Sequence, residues 1–154
     1  NGNLTDTQAV TVSVNDVNEA PLITSVTTDS VDENATTNTV IYTVTATDVD
    51  ANDSLTYSIT GDDAAFLDIN ASTGEVTLKA SADYETKASY VFNVIATDSD
   101  DLTNIQTVLV SINDVNEVPM ITSGATGSVN ENAAINTVIY TATATDVDAN
   151  DSLT

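Results

Sequence analysis

The sequence contains no cysteine and no histidine, and its 154 residues include only two cationic side chains, Lys79 and Lys87. The chain therefore has no disulfide, no histidine-based acid–base pair, no thiol nucleophile and no zinc site of the usual kind. Asp and Glu together number 24, which gives a formal net charge of -22. We expect nucleic acid and anionic membrane surfaces to repel such a chain.

Tryptophan is absent, aromatic residues make up 5% of the chain, and only two prolines occur. The hydrophobic fraction nevertheless reaches 41% and includes many Val and Ile residues. Disordered acidic chains lack such residues, because low hydrophobicity and high charge together prevent a core. The composition therefore favours a folded β-protein with pleated, half-buried surfaces.

Long apolar runs are also missing from the sequence. No run of 18 apolar residues occurs, so we expect no direct membrane insertion. The first residues do not show the basic and then apolar pattern of a signal peptide, so we expect Asn1 to begin a piece of a longer chain. The lack of cysteine fits a bacterial exterior or a cytosol and does not distinguish them.

The sequence repeats itself at a constant offset of 98 residues, with Asp16 corresponding to Asp114 and Pro21 to Pro119. Residues 1–56 match residues 99–154 at 39 of 56 positions without a gap. Solenoid repeats are shorter, about 20–50 residues. The period therefore predicts a tandem array of self-contained β-domains.

The two prolines mark the boundaries of the repeat, because the residue before a proline is held extended and suits a hinge. The sequence thus predicts three parts: the end of a preceding repeat at 1–19, a complete repeat at 20–117, and the start of a following repeat at 118–154. Neither end part has enough strands to bury a core by itself.

Apolar residues alternate with period two along the complete repeat, as in half-buried strands. The pattern predicts about seven strands, at 22–32, 39–47, 54–60, 67–69, 76–78, 88–97 and 105–113. Seven short strands in about 98 residues indicate an all-β fold, a seven-stranded antiparallel sandwich of two sheets.

We expect a thin sandwich core with few aromatic residues. On the strand at 39–47, the alternation places four residues on one face: Val40, Tyr42, Val44 and Ala46. Packing in the core is the expected role of the aromatic residues Tyr42, Tyr57, Tyr90 and Phe92.

The carboxylates of the complete repeat fall in five short segments at strand ends or in loops. These segments are Asp32–Asn34, Asp48–Asp53, Asp83–Glu85, Asp98–Asp101 and Asn113–Glu117. The strand directions place Asp48, Asp50 and Asp98 at one pole of the sandwich. The opposite pole receives Glu33, Asp83, Glu85 and Asp114.

Such crowding of like charges predicts a bound cation. Two carboxylates about 4 Å apart repel by roughly 4 kcal/mol at an effective dielectric constant near 20. Carboxylate and amide oxygens are the ligands that Ca²⁺ takes in shells of about 6–8 oxygens, and the lack of His and Cys disfavours softer metals. An EF-hand is excluded, because Asp53 stands at the required Gly and Ile59 at the closing Glu of such a loop.

The other acidic residues fit no such cluster. Solvated charge, which keeps a protein in solution, is the expected role of Asp6, Asp62 and Asp63. Asp100 and Asp101 only add to the local field.

Taken in order, these motifs resemble the cadherin repeat as found in tandem on bacterial surface proteins. The resemblance covers the family's glutamate motif, its Ala-x-Asp-x-Asp loop, its Asp-Arg-Glu motif, the Asp after the penultimate strand and its Asp-x-Asn-Asp-Asn linker. The matching segments are Asp32–Asn34, Ala46–Asp50 with Asn52, Asp83–Glu85 (Tyr for Arg), Asp98, and the linkers Asp16–Ala20 and Asp114–Val118. In both linkers Glu replaces the second Asp, and Ala or Val replaces the final Asn.

The resemblance implies an immunoglobulin-like Greek-key sandwich of the cadherin type, with up to three Ca²⁺ enclosed at each junction between repeats. The implied ligands at the first junction are Asp16, Asn18, Glu19, Asp48, Asp50, Asn52 and Asp98. Those at the second are Glu33, Asp83, Glu85, Asp114, Asn116, Glu117, Asp146, Asp148 and Asn150. Glu33 would be shared by two ions, and the linker substitutions leave room for fewer than three ions per junction.

The function implied is structural and adhesive: Ca²⁺ rigidifies a rod of repeats in a bacterial surface or secreted protein. Its partners would be neighbouring repeats of the same chain and other cell-surface proteins, with homophilic association left open. The alternative is a calcium-dependent polysaccharide-binding module, which the lack of Trp and the inward-facing Tyr residues, Tyr84 excepted, do not favour. An enzyme is not expected, although paired carboxylates can hydrolyse glycosides, because these carboxylates match metal ligands.

Overall fold

The structure, a computed structural model, describes residues 2–50, 53–149 and 151–153. The strands, in chain order, are β1 (Leu22–Ile23), β2 (Thr28–Asp32), β3 (Val40–Thr43), β4 (Ala46–Thr47), β5 (Thr56–Thr60), β6 (Leu67–Ile69), β7 (Glu75–Leu78), β8 (Ser89–Thr97), β9 (Thr103–Asn113), β10 (Met120–Ile121) and β11 (Ala144–Thr145). A 3₁₀ turn, Asp62–Phe66, connects β5 to β6. Over the described ranges, no helix has the length and apolar character needed to cross a membrane.

Two sheets form the body of the molecule. One has four strands in the order β2-β9-β8-β5, and the other has three in the order β3-β7-β6. A short β1–β4 ladder extends the sandwich, and β10 and β11 repeat that ladder 98 residues later in the same register. The all-β sandwich predicted from the alternation is therefore confirmed.

The expectation of a wholly antiparallel sandwich needs one correction, because β2 pairs with β9 in parallel, from Thr28 opposite Leu109 to Asp32 opposite Asn113. The predicted strand at 22–32 breaks where the chain crosses between sheets. Before the crossing, Thr24 N donates to Thr45 O at 2.8 Å; after it, Thr27 O accepts from Leu109 N at 3.0 Å. The crossing leaves β2 beside β9 in the same direction.

The predicted strand at 39–47 is also interrupted. Its register against β7 shifts between Val40 and Tyr42, so Ile41 and Tyr42 are both buried while Val40 is 46% exposed. The expectation that Val40 shares the inward face of Tyr42 is therefore wrong, because a bulge adds one residue and turns the strand. The strand pairing then stops, and Val44 N donates to Gly74 O at 2.9 Å.

The core lies between the two sheets, and β8 and β9 supply its centre. Tyr42 packs edge-on against Phe92, with ring centroids 6.2 Å apart. The buried apolar residues are Ile23, Ile41, Tyr42, Val44, Leu67, Val76, Leu78, Ala82, Tyr90, Phe92, Val94, Ala96, Val108, Val110 and Ile112. Tyr57 is partly buried and packs against this set, so all four aromatic residues expected in the core contact it.

The 3₁₀ turn overturns one expectation about charge. Asp63 accepts a hydrogen bond from Val91 N at 2.7 Å and forms an ion pair with Lys87 Nζ at 2.8 Å. Burial raises the pKa of Asp63, but the hydrogen bonds from Lys87 and Val91 and the Lys87 charge together hold it below its ordinary value. Asp63 therefore joins the turn to β8, whereas Asp62 is exposed as expected.

Candidate metal centres

Two groups of mostly acidic residues lie at opposite ends of the complete repeat. We call them the first-junction cluster (Asn18, Glu19, Asp48, Asp50, Asp53 and Asp98) and the second-junction cluster (Glu33, Glu85, Asp114, Glu117, Asp146, Asp148 and Asp151). Each cluster combines loops of the complete repeat with a linker segment, and the second also includes residues of the following repeat.

In the first-junction cluster, Asp48, Asp53 and Asp98 each bring a carboxylate oxygen within 4.8 Å of the others. Asp98 follows β8 and is 5% exposed. Its Oδ1 accepts the backbone N–H groups of Asp100 at 2.9 Å and Leu102 at 2.8 Å, which fixes the turn from β8 to β9. Burial raises the pKa of Asp98, but hydrogen bonds from Asn18, Leu102 and Asp100 bring it below the ordinary value, so the carboxylate stays charged.

The first linker reaches this cluster through two contacts. Asn18 Nδ2 donates to Asp98 Oδ2 at 2.9 Å, and Glu19 N donates to Asp50 Oδ2 at 2.9 Å. Asp50 N in turn donates to Asp48 Oδ1 at 3.0 Å. The linker and two loops of the complete repeat thus form one polar surface.

The second-junction cluster is a connected series of three groups. Glu33, Glu85 and Asp114 converge, as do Glu85, Glu117 and Asp148, and as do Asp146, Asp148 and Asp151, in each case with oxygens within 4.8 Å of one another. Glu85 and Asp148 each belong to two groups. Carboxylates of the complete repeat and of the following segment therefore meet in one continuous acidic site.

Glu33 holds the second-junction loops together. It follows β2 and is 4% exposed. Its Oε1 accepts Val115 N at 2.7 Å, and its Oε2 accepts Tyr84 N at 2.9 Å. One buried carboxylate therefore fixes both the linker and the loop that carries Glu85.

The two junctions show the same linker contact. Glu117 N donates to Asp148 Oδ2 at 2.8 Å, and Asp148 N donates to Asp146 Oδ1 at 3.2 Å. These bonds repeat the contacts of Glu19, Asp50 and Asp48 at the first junction. The same contacts between linker and acidic loop therefore recur at both junctions, 98 residues apart in the chain.

Desolvation and mutual repulsion raise the pKa values of two carboxylates in the second-junction cluster. Desolvation, the charges of Asp148, Glu33 and Asp151 and a hydrogen bond with Asp148 raise the pKa of Asp114. A hydrogen bond from its own backbone N–H lowers the pKa of Glu85, but desolvation and the charges of Glu33, Glu117 and Asp114 outweigh it, and the pKa is raised. Both shifts mean that the folded chain holds these negative charges at a cost.

Four buried carboxylate oxygens test whether the clusters fit a metal ion. Asp48 Oδ2, Asp53 Oδ2, Glu117 Oε2 and Asp148 Oδ1 are buried and accept no hydrogen bond from the residues that the structure describes. An unpaired, buried anionic oxygen is costly unless a cation compensates it. The donor set consists of oxygen alone, which suits a hard cation such as Ca²⁺. The clusters therefore fit the ion that the sequence predicts.

Some predicted ligands lie outside these convergences. Both carboxylate oxygens of Asp83 accept hydrogen bonds from Thr86, at 2.9 Å each. Asn116 Nδ2 donates to Glu117 O at 3.1 Å, and Asp16 is exposed and belongs to none of the groups found among the described residues. Asn52 and Asn150 lie outside the described residues.

Two members of the clusters, Asp53 and Asp151, were not predicted as ligands. Each stands three residues after the second Asp of its acidic loop, at the same place in both repeats. Recurrence of an Asp at the 98-residue offset is the sequence signal that marks this position.

Comparison with known proteins decides the family. The sequence pattern described as "Cadherin domain" matches residues 27–113, more than half of the chain. The chain belongs to the cadherin domain family. Cadherin domains are adhesive, structural extracellular modules that occur in tandem and in general bind Ca²⁺, so the cadherin resemblance is confirmed.

The curated cadherins that the chain resembles are much longer than the chain. It is 37% identical to mouse protocadherin Fat 4 over 123 residues, 75% of this chain and 2% of that protein. It is 39% identical to human protocadherin-1 over 139 residues, 84% of this chain and 13% of that protein. These relatives are animal proteins, so the bacterial source stays a prediction.

Solved cadherin structures share the fold over most of the chain. A crystal structure of human protocadherin-24 EC1-2 has a TM-score of 0.70 and 27% identity, covering 86% of this chain and 63% of that chain. A crystal structure of mouse cadherin-23 EC22-24 has a TM-score of 0.60 and 30% identity, covering 84% of this chain and 44% of that chain.

Proposed function

We propose that the two junction clusters of this cadherin chain bind Ca²⁺ and that the bound ions hold consecutive repeats end to end. Bound Ca²⁺ supplies positive charge that carboxylates from two repeats and a linker share. The first-junction ligands would include Asn18, Glu19, Asp48, Asp50 and Asp98, with Asp16 and Asn52 from the motif. The second-junction ligands would include Glu33, Glu85, Asp114, Glu117, Asp146 and Asp148, with Asp83, Asn116 and Asn150 from the motif.

The observation that carries this proposal is the set of four buried, unpaired carboxylate oxygens. Two of them, on Asp48 and Asp53, lie in the first-junction cluster, and two, on Glu117 and Asp148, lie in the second. Lys79 and Lys87 are the only cationic side chains, and they pair with Asp68 and Asp63. Within the described residues, no side-chain cation therefore compensates these oxygens, and a bound Ca²⁺ would do so.

The mechanism is rigidification linked to ligand binding. Glu33 positions both the linker and the Glu85 loop through backbone hydrogen bonds, so an ion held there would fix all three segments together. Extracellular calcium modules have dissociation constants of about 10⁻⁴–10⁻³ M. Binding to the folded state alone stabilises it by mass action, so stability and stiffness should rise together with calcium.

On this basis, we place the chain in an extracellular or cell-surface protein built as a rod of repeats for adhesion. Residues 1–19 would end one repeat, 20–117 would form a complete repeat and 118–154 would begin the next, each contacting its neighbours. A bacterial host, homophilic association, contact with other surface proteins and the alternative of polysaccharide binding stay predictions from the sequence.

Calorimetric titration of the calcium-stripped full chain tests the proposal. Wild-type protein should bind Ca²⁺ at millimolar concentration or below. Glu33→Gln should weaken the second-junction sites and Asp48→Asn the first, each leaving the other junction's binding in place. Asp62→Asn, an exposed change of equal charge, should bind as wild type does. The absence of any calcium-dependent heat in wild type would refute the proposal.

A further inference from the structure

Asp53 has one paired and one unpaired carboxylate oxygen. Ser99 Oγ donates a short hydrogen bond to Oδ1, whereas Oδ2 is buried and accepts no hydrogen bond from the described residues. The Ser99 contact fixes the carboxylate on the loop after β8. Asp53 also brings a carboxylate oxygen within 4.8 Å of oxygens of Asp48 and Asp98.

Asp151 occupies the same position one repeat later. Asp53 N approaches Asp50 O at 3.5 Å, and Asp151 N approaches Asp148 O at 3.5 Å, so both loops hold this residue similarly. Asp151 converges with Asp146 and Asp148, and Asp148 Oδ1 is another buried, unpaired oxygen. The same loop position therefore contributes a carboxylate to the acidic cluster at each of the two junctions.

We propose that Asp53 and Asp151 are calcium ligands, the former at the first junction and the latter at the second. This inference rests on the calcium binding proposed above and adds one ligand to each junction. Neither residue belongs to the motifs through which the sequence resembles cadherins, where Asn52 and Asn150 hold the later loop position. Each added carboxylate would supply negative charge to the bound Ca²⁺, in addition to the charge supplied by the ligands of the cadherin motifs.

The chemistry of a third carboxylate makes the effect depend on calcium. Beside the carboxylates of Asp48 and Asp98, the Asp53 carboxylate adds repulsion when no cation is present and adds attraction when one is bound, because ligand charge tunes calcium affinity. A purely structural acceptor for Ser99 would instead stabilise the fold with and without calcium. These two roles predict opposite signs in the calcium-free protein.

The test compares Asp53→Asn, Asp151→Asn and the double variant with wild type in the full chain, and Asp62→Asn is the matched control. Calorimetry should show the calcium affinity of one class of sites falling about tenfold or more in each single variant, and of two classes in the double variant. In EDTA, the melting temperature of Asp53→Asn should equal or exceed that of wild type. In millimolar calcium it should fall below wild type.

The outcomes separate this inference from the proposed function. If wild type binds no calcium, the proposed function fails and this inference fails with it. If wild type binds calcium while both single variants bind as tightly as Asp62→Asn, only the role of Asp53 and Asp151 is refuted. Asp53→Ala also removes the acceptor of Ser99. Unchanged affinity in Asp53→Asn, with a melting temperature of Asp53→Ala that drops equally in EDTA and in calcium, would show that the residue serves Ser99 alone.

Discussion

Carboxylates in this cadherin chain stabilise or destabilise the fold according to the partners of each oxygen. Asp63 has a cation and a backbone N–H group as partners, and its pKa is lowered. Desolvation and the charges of Asp148, Glu33 and Asp151 raise the pKa of Asp114. Residues of one chemical type therefore divide into those whose charge supports folding and those whose charge opposes it.

Removing the charge of Asp63 should destabilise the fold in a pH-dependent way. Asp63→Asn keeps an acceptor for Val91 N but loses the ion pair with Lys87, which should cost about 1 kcal/mol at neutral pH. Because the folded pKa lies below the ordinary 3.8, this stabilisation is complete above pH 3.8 and is lost as the pH falls through the folded pKa. Urea denaturation of wild type and Asp63→Asn between neutral and acidic pH measures the gap, which is the difference between their free energies of unfolding.

The matched control for Asp63 is its neighbour. Asp62→Asn removes an exposed carboxylate from the same turn and should leave the free energy of unfolding within about 0.5 kcal/mol of wild type. A gap between wild type and Asp63→Asn that persists unchanged below the folded pKa would show that the charge of Asp63 contributes nothing.

The sequence predicted most of the cluster residues but few of the hydrogen bonds and ion pairs that acidic residues form. Glu33, Asp98 and Asp114 stood out because acidic motifs recur at strand ends. The ion pair of Asp63 with Lys87 joins residues 24 positions apart in the chain, and no local pattern predicts such a contact. Asp53 and Asp151 lay within the acidic segments, but spacing alone does not show which carboxylate of a loop turns inward.

At the scale of elements, the turn between β6 and β7 holds the segment that follows β3. Asn70 Oδ1 accepts the N–H groups of Ser72 at 3.0 Å and Thr73 at 3.2 Å. Gly74 then adopts φ 73°, and its carbonyl accepts Val44 N at 2.9 Å. A Cβ at position 74 would collide with the carbonyl oxygen of Val44.

Gly74→Ala should therefore lower the free energy of unfolding by roughly 1–3 kcal/mol from backbone strain, with a further loss from the steric clash. Gly124→Ala is the control, because a Cβ there meets nothing within 4 Å. Gly74→Asn separates the two causes, since asparagine tolerates positive φ but still carries a Cβ. Denaturation in urea would contradict the clash if Gly74→Asn were as stable as wild type.

Period-two alternation located the strands but not their irregularities. It found the positions of β5 to β9 because one face of each of those strands is buried or partly buried. It missed the bulge at Val40 and Tyr42 and the crossing between β1 and β2, since both depend on how two sheets meet. The parallel pairing of β2 with β9 follows from that crossing, which no single strand's pattern contains.

At the scale of the whole molecule, the two junction clusters lie where the complete repeat meets the linkers, and we call these two regions joints. Loops after β4 and β8 meet the linker at one end, and the loop after β2, the Glu85 loop and the linker after β9 meet the following segment at the other. Among the described residues, only a few hydrogen bonds cross each junction, and without a cation these alone offset the repulsion between crowded like charges. In the rod that we propose, the stiffness of the junctions should therefore depend on calcium more strongly than the fold of one repeat does.

Chelation should accordingly loosen the joints before it unfolds the complete repeat. In small-angle scattering, the full chain in EDTA should show a more flexible profile and a changed maximum dimension relative to millimolar calcium, while the far-ultraviolet circular dichroism of the sandwich persists. Raising the salt concentration in EDTA should recover only part of the stiffness. Salt screens repulsion between exposed charges, but it does not place a bound cation against the buried, unpaired oxygens. Scattering profiles that superimpose in EDTA and in calcium would contradict calcium-dependent joints, even if calorimetry detected bound ions.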